Sequence, residues 1–138
     1  MKSSVYDATV IELPKVHNVA GNITAINNAE STIPFEIQRV YYLYDVPGGE
    51  NRGAHAHKKL EQLIIAASGS FEITLDDGST RRTYNLNRPY LGLYMPSGLW
   101  RELGNFSSGA ICLVMASKNY DANDYIRDYS DFLKYKSL

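Results

Sequence analysis

The sequence is poor in the residues that mark a disulfide-stabilised secreted protein. It contains one cysteine, Cys112, and a single cysteine cannot form a disulfide within the chain. Cys112 lies inside an apolar run, where a cysteine usually acts as a small core residue. We therefore predict a reducing, cytoplasmic compartment for this protein.

Long apolar runs and strong net charge are also missing. Residues 1–14 contain no continuous apolar stretch, so no signal peptide is predicted. No apolar run approaches the roughly 20 residues that cross a membrane as a helix. Lysine and arginine number 14 against 15 acidic residues, with no basic run, which argues against a polyanion-binding surface. We expect neither a membrane nor a nucleic acid as partner.

What the chain does have is the composition of an ordinary globular domain. Its 138 residues are 44% hydrophobic and 21% charged, which predicts a single domain over residues 1–138. The 11 tyrosines suit the cross-strand packing of β-structure, and a few of them could line a ligand pocket.

Short strand-like segments recur along the chain with turn residues between them. The clearest is a hairpin at residues 70–79, where Asp77-Gly78 forms the tight turn. The other predicted strands lie within residues 5–13, 21–28, 35–46, 61–69, 81–86, 91–98 and 110–117. This pattern predicts an all-β sandwich or barrel. Only residues 123–135 have helical spacing, with Asn123 or Asp124 as the predicted cap.

The segment 35–46 has an alternating pattern that assigns its faces. Because Glu36 is polar and faces outward, Arg39 and Tyr41 are predicted to face inward. A buried arginine needs an anionic partner, which is either the substrate or Glu61. Tyr41 is a candidate hydrogen-bond donor to the ligand, and Tyr42 replaces it if the strand slips by one residue.

The strongest functional signal is a pair of histidines one residue apart. On a strand, His55 and His57 project to the same face, and Arg52 and Lys58 flank them. Together with Glu61 the pair could bind a metal ion. Alternatively, the two imidazoles could carry protons near neutral pH.

The chain resembles the cupins in both of their motifs. The first cupin motif is Gly, five residues, His-x-His, three or four residues, Glu, and about six residues to Gly. The matching residues are Gly49, His55, His57, Glu61 and, one residue late, Gly69. The second motif, Pro-x-Gly-x-x-His-x-x-x-Asn, is matched by Pro96, Gly98 and Asn105, with Arg101 in place of its histidine. The resemblance implies a small jelly-roll β-barrel with its site in the mouth.

The arginine at position 101 separates two hypotheses. Arginine offers only donors and cannot bind a metal ion, whereas it suits a phosphate or pyrophosphate. One hypothesis is therefore a site for an anionic ligand with no metal. The alternative is a metal-dependent cupin oxygenase that uses only His55, His57 and Glu61 as ligands.

A closer resemblance is to the dTDP-4-keto-6-deoxyglucose 3,4-ketoisomerases, the WxcM-like sugar-nucleotide cupins. The segments that carry it are residues 33–45, 52–62, 75–78, 91–100 and 120–135. The resemblance implies transfer of a keto group from C4 to C3 of a dTDP-linked 6-deoxy keto-hexose, without metal or organic cofactor. It also implies a product that is aminated for O-antigen or S-layer glycans, and a homodimer that exchanges N-terminal strands.

The resemblance further implies a role for each site residue. His55 is the main base, and His57 relays protons or polarises the enediolate. The predicted substrate-binding residues are Arg39 and Tyr41, from the alternation of their strand, together with Arg52, Lys58, Gln62 and Arg101. Two other functions are also consistent with this family: a sugar-nucleotide binding module and a 3,5-epimerase.

One residue of the set also bears on the stereochemistry of the product. By the same resemblance, Arg101 implies the 3-keto product with gluco configuration at C4, although Ala20 stands near where that configuration calls for a partner. The third histidine, His17, is predicted to lie on the surface.

Overall fold

The computed structural model describes residues 3–29 and 32–137. Most of its regular secondary structure consists of strands. Their bounds in chain order are β1 Thr9–Glu12, β2 Val16–Asn18, β3 Gly21–Ile23, β4 Arg39–Leu43, β5 Arg52–His57, β6 Gln62–Ser68, β7 Phe71–Asp76, β8 Arg81–Leu86, β9 Leu91–Met95, β10 Trp100–Gly104, β11 Ile111–Ala116 and β12 Tyr125–Ile126. One α-helix, α1, covers Tyr129–Ser137, and 3₁₀ turns cover Val5–Asp7 and Ala122–Asp124.

Two five-stranded antiparallel sheets enclose the main core. The first sheet has the order β1-β9-β6-β11-β4 and the second β12-β5-β10-β7-β8. Alternate side chains of both sheets meet between them, as expected where each sheet buries one face. Phe71, Ile64, Leu93 and Val114 are fully buried members of this core. The predicted all-β, cupin-type barrel with a short C-terminal helix is confirmed.

The phase predicted for β4 is also confirmed. Arg39 and Tyr41 are partly buried, whereas Glu36 is exposed. Tyr42 is 59% exposed, so it is not the inward-facing tyrosine.

A local irregularity shapes the second sheet where β5 meets β10. His55 pairs with Arg101, but the register shifts before Leu103, which pairs with Arg52. Gly53 lies opposite this shift with φ of 70°, a left-handed conformation that glycine adopts without strain. A Cβ at Gly53 would lie 3.2 Å from Leu103 Cδ1 and 3.5 Å from Arg101 Nη2. The glycine therefore lets β5 approach the arginine side chain closely.

Two strand predictions near the N-terminus were too long. Residues 5–13 form a 3₁₀ turn followed by β1, because Asp7 and Ser4 make a reciprocal capping interaction. The segment 21–28 is strand only to Ile23, as β3, which pairs with β2 in a separate hairpin. Ala20 lies in the exposed turn of that hairpin, and His17 is exposed as predicted.

The prediction of a helix from residue 123 was wrong. Tyr125 and Ile126 instead form β12, which pairs with His57 and Ala56 of β5. The helix α1 begins at Tyr129, after Asp128, whose carboxylate accepts the Ser130 and Asp131 backbone N–H groups. Its buried Phe132 packs with Ala56, Trp100 and Ile126.

The part of the chain that the structure describes contains no helix long and apolar enough to span a membrane.

Candidate active site

A cavity of about 400 Å³ opens where β4 of the first sheet faces β5 and β10 of the second. Its lining residues are Arg39, Tyr41, Leu43, Arg52, Gly53, Ala54, His55, Arg101, Tyr125 and Arg127. Five of the eight residues predicted to form the site line it: one catalytic residue, His55, and four substrate-binding residues.

The cavity wall is strongly positive. Four arginines line it, and no aspartate or glutamate of the described residues does. Such a concentration of guanidinium groups attracts an anion, and a guanidinium group with free donors can bind phosphate through two parallel hydrogen bonds. The chain as a whole has a net charge of only -1, so this positive potential is local to the cavity.

The two histidines of β5 are in direct contact, as their spacing predicted. The Nε2 atoms of His55 and His57 lie 3.1 Å apart, and the rings meet edge-on at 88°. Their exposed fractions are 8% and 2%. A separation of 3.1 Å is a hydrogen-bond distance, so one Nε2 donates a proton and the other accepts it.

Burial and nearby positive charge keep both histidines neutral. Burial, reinforced by Arg101, His57 and Arg127, lowers the pKa of His55 to about 2. Burial and Arg101 lower the pKa of His57 to about 4, while Asp124 acts in the opposite direction. Neutral imidazoles at pH 7 are able to accept a proton.

Asp124 is a neighbour of this pair that sequence analysis assigned to the wrong role. Its Oδ2 lies 3.4 Å from His57 Nδ1. Backbone N–H groups of Lys59 and Leu60 donate to its carboxylate at 2.9 and 3.1 Å. From the sequence, Asp124 is a candidate helix cap. In the structure Asp124 is only 9% exposed. This burial, which the sequence does not show, is what distinguishes it from a helix cap at the surface.

Arg101 is committed to hydrogen bonds inside the barrel. Its Nη1 donates to Gln62 Oε1 at 2.7 Å, and its Nη2 donates to the Tyr41 hydroxyl at 3.1 Å. Arg101 and Gln62 are each only 1% exposed. Arg101 therefore positions Tyr41 and Gln62 and contributes a fixed positive charge close to both histidines.

Tyr125 and Arg127 are cavity residues that the sequence analysis missed. The Tyr125 ring centre lies 5.0 Å from that of His55 and 4.3 Å from that of His57. The Arg127 guanidinium lies over the same tyrosine ring at 4.2 Å. The helical interpretation of residues 123–135 hid both, because only the strand β12 brings them beside the histidines.

Lys58 and Glu61 do not lie where the sequence analysis placed them. Lys58 is exposed and does not line the cavity. Glu61 accepts a hydrogen bond from the Tyr94 hydroxyl at 2.6 Å. That bond and burial raise the pKa of Tyr94. Arg39 instead stacks over the rings of Tyr41 and Tyr120, at 4.5 and 5.3 Å.

The three ligands of the alternative metal site are not brought together. Across residues 3–29 and 32–137, no group of three histidine, cysteine, aspartate or glutamate side chains is arranged to hold a metal ion. Glu61, the third ligand of that hypothesis, bonds to Tyr94 as described above.

The barrel and the histidine pair beside its cavity define a cupin-type protein. The family model described as WxcM-like, C-terminal (FdtA) matches residues 6–137, and the chain belongs to this family. The family resemblance seen in the sequence is thereby confirmed.

Named relatives agree on one type of enzyme. The chain is 44% identical over 126 residues to the TDP-4-oxo-6-deoxy-α-D-glucose-3,4-oxoisomerase of Aneurinibacillus thermoaerophilus, covering 91% of this chain and 90% of that protein. A 3,4-ketoisomerase crystal structure from Helicobacter canadensis is 45% identical, with a TM-score of 0.92 over 96% of this chain and 98% of that one.

A third relative is described with its sugar nucleotide. A mutant of the 3,4-ketoisomerase QdtA from Thermoanaerobacterium thermosaccharolyticum, in complex with TDP-4-keto-6-deoxyglucose, is 36% identical. Its TM-score is 0.93, over 97% of this chain and 96% of that one.

Proposed function

We propose that this protein is an isomerase that moves the keto group of dTDP-4-keto-6-deoxyglucose from C4 to C3. The observation that carries the proposal is the pair of neutral, touching imidazoles, His55 and His57, beside a cavity lined by four arginines. The substrate is inferred from the relatives, and the site contains groups suited to both the sugar and the diphosphate of that substrate. The imidazoles suit the keto-sugar, and the guanidinium groups suit the diphosphate.

The reaction requires only proton transfers. The C4 carbonyl makes the C3 proton acidic, and a neutral imidazole can remove it. The electron pair of the C3–H bond then forms the C3=C4 double bond, and O4 becomes an enediolate oxygen. Protonation of O4 and loss of the O3 proton return the electron pair to C4, which takes up a proton. The 3-keto sugar that results has the same atoms and oxidation level as the substrate.

His55 is the base in this scheme because it lines the cavity, whereas His57 lies behind it, 2% exposed. His57 receives protons from His55 through the 3.1 Å contact between the rings. The Tyr41 hydroxyl can donate to a sugar oxygen while it accepts from Arg101. A donor at that oxygen stabilises the developing enediolate charge.

Arg101 is occupied by its hydrogen bonds to Gln62 and Tyr41. The diphosphate therefore interacts with the other arginines of the cavity wall. Arg39, Arg52 and Arg127 are the three such residues. Binding a dianion beside His55 counters the positive charge that contributes to its low pKa, and so makes the histidine a stronger base in the complex. Substrate binding and base strength are thereby linked.

We further propose that the protein is a cytoplasmic homodimer. Its product would be used in deoxyamino-sugar synthesis for surface glycans. The hairpin of β2 and β3 extends Val16, Val19 and Ile23 into solvent, with exposed fractions of 65%, 100% and 67%. A groove of about 520 Å³ beside it includes apolar residues such as Ile65 and Leu113. Exchange of these hairpins between two copies would cover both apolar surfaces.

The test is to incubate the protein with dTDP-4-keto-6-deoxyglucose and follow the sugar by NMR. We expect the signals of the 4-keto sugar to be replaced by those of a 3-keto isomer. The variant His55→Asn should not carry out this conversion. Tight dTDP binding without any 3-keto product would indicate a binding module, and solvent deuterium at C5 would indicate an epimerase.

A further inference from the structure

Three side chains form a continuous line from the cavity into the protein. His55 lines the cavity, its Nε2 contacts His57 Nε2 at 3.1 Å, and His57 Nδ1 faces Asp124 Oδ2 at 3.4 Å. The chain of contacts therefore ends in a buried carboxylate, which accepts hydrogen bonds but, when ionised, cannot donate them.

The backbone holds that carboxylate in one orientation. The N–H groups of Lys59 and Leu60 donate to its two oxygens, Oδ1 and Oδ2. Both oxygens of Asp124 are thereby engaged as acceptors. Asp124 Oδ2 therefore faces His57 Nδ1 at an ion-pair distance of 3.4 Å, and no described residue makes a hydrogen bond to that buried nitrogen.

We propose that Asp124 is a positioning residue that sets the tautomers of both histidines. Facing the carboxylate, His57 carries its proton on Nδ1 and presents an unprotonated Nε2. His55 must then donate from its own Nε2, which leaves Nδ1 of His55 as the unprotonated nitrogen of the pair. This inference rests on the proposed ketoisomerase function for one point only, which is that His55 Nδ1 accepts the C3 proton.

The opposite pair of tautomers would block the proposed base. If His57 carried its proton on Nε2, His55 Nε2 would have to accept, and His55 Nδ1 would already be protonated. The remaining unprotonated nitrogen would be His57 Nδ1, on a side chain only 2% exposed. The carboxylate at position 124 thus decides whether the pair can accept a proton from the cavity.

The same arrangement gives the accepted proton a path. When His55 Nδ1 gains a proton, the Nε2 proton of His55 can pass to His57 Nε2. The positive charge then lies on His57, next to the Asp124 carboxylate and farther from the cavity. Reversing the two transfers returns the proton to the sugar, so that no proton is gained or lost over the cycle.

Imidazole ¹⁵N NMR of the protein labelled in histidine tests the proposal without substrate. The chain has three histidines, and exposed His17, whose Nδ1 is 2.6 Å from Asn22 Oδ1, provides an internal reference. We expect neutral His57 protonated on Nδ1 and neutral His55 protonated on Nε2. Wild-type spectra with either proton on the other nitrogen would overturn the proposal.

The variant Asp124→Asn provides the second arm of the test. Its amide can donate to His57 Nδ1, so we expect the tautomers of both histidines to reverse. His55 is not in direct contact with residue 124, so its tautomer would change only through His57. A role limited to holding the backbone would not reverse His55. Asp121→Asn is the matched control, because Asp121 caps the same 3₁₀ turn through the Asn123 N–H. In this variant the tautomers of His55 and His57 should match those of the wild type.

Turnover separates this inference from the proposed function. We expect Asp124→Asn to lose about 100-fold or more in kcat, the range of acid–base catalysis, with little change in dTDP affinity. Unchanged tautomers in folded Asp124→Asn would overturn the positioning role even if the ketoisomerase activity is present. The expected tautomers in a protein that forms no 3-keto sugar would instead count against the proposed function.

Discussion

The Arg101 guanidinium donates to the Tyr41 hydroxyl at 3.1 Å and so joins β10 of one sheet to β4 of the other. The same guanidinium holds Gln62 at 2.7 Å. At this position the cupin motif has a histidine, which in metal-dependent cupins binds the metal. Here an arginine links the two sheets beside the histidine pair and adds to the lowering of both imidazole pKa values that burial causes.

Replacing the Arg101 side chain should lower both the activity and the stability of the protein. Arg101→Lys keeps the charge, but an ammonium group cannot reproduce the planar geometry that serves Gln62 and Tyr41 together. We expect kcat/KM to fall at least tenfold and the free energy of unfolding to fall by about 1–3 kcal/mol, the usual cost of an unsatisfied buried polar group. Steady-state kinetics and urea unfolding measure the two effects.

Arg81→Lys is the matched control for that substitution. Arg81 is 56% exposed and pairs with Glu102 at 3.2 Å and with Asp76 at 3.8 Å. A lysine can keep one such pair at this exposed position, so the expected loss is about 1 kcal/mol or less. The account is contradicted if Arg101→Lys behaves like Arg81→Lys in both measurements.

The acid limb of the pH–rate profile should lie unusually low. The base must be neutral, and the pKa values of His55 and His57 in the free protein are lowered to about 2 and about 4. Since kcat/KM reports groups of the free enzyme, we expect it to stay level as pH falls through 6.5, the ordinary histidine value. A histidine-type decline centred near pH 6.5 would show that the pair is not neutralised as described.

The same low pKa values predict a loss of stability in acid. Below pH 6.5 the unfolded chain protonates these histidines while the folded chain does not, so stability decreases as pH falls. Between pH 7 and 5 each buried histidine should remove about 2 kcal/mol from the free energy of unfolding. His55→Asn should lose correspondingly less over this range than wild type, in urea unfolding at each pH. An equal loss in the two proteins would contradict the burial argument.

Ligand binding distinguishes the arginine found in the cavity from the lysine predicted there. Arg127 lines the cavity, whereas Lys58 is exposed and lies outside it. We expect Arg127→Ala to weaken dTDP binding at least tenfold, the order of a charge-assisted hydrogen bond to phosphate. Lys58→Ala should change the Kd less than twofold. Calorimetric titration with dTDP measures both, and the reverse order would favour the sequence-based assignment.

Gly53 should be intolerant of even the smallest side chain. With φ of 70° and Leu103 Cδ1 3.2 Å from the position of a Cβ, Gly53→Ala combines backbone strain with crowding. We expect a loss of about 1–3 kcal/mol in the free energy of unfolding. Gly48→Ala is the control, because nothing lies within 4 Å of its Cβ position. Equal stability of the two variants would contradict the role assigned to Gly53.

The sequence was sufficient for the barrel and for the centre of the site. Alternation with a period of two assigned the faces of β4 and brought His55 and His57 together, because both patterns depend only on strand geometry. Motif spacing also placed Arg101 beside the pair, where β5 and β10 are hydrogen-bonded. These are properties of local backbone geometry, which a sequence pattern reports directly.

The C-terminal part of the site could not be predicted in this way. Residues near 125–133 have helical spacing. Tyr125 and Ile126 nevertheless pair with β5, and Ile126 packs on buried side chains. These contacts stabilise the strand more than a short extension of the helix would stabilise a helical conformation. The sites of Asp124, Tyr125 and Arg127 follow from that long-range pairing. Glu61 fits the cupin motif by spacing, and only the fold shows that Tyr94 takes its carboxylate.

The central claim is that His55 carries out the proton transfer at C3, and His55→Asn tests it most directly. Turnover of saturating dTDP-4-keto-6-deoxyglucose and the Kd for dTDP should be measured on the same preparation. The account predicts a rate at least about 1,000-fold below wild type, within the range for loss of an acid–base group, with a Kd within threefold. A folded His55→Asn variant that forms the 3-keto sugar within tenfold of the wild-type rate would contradict it.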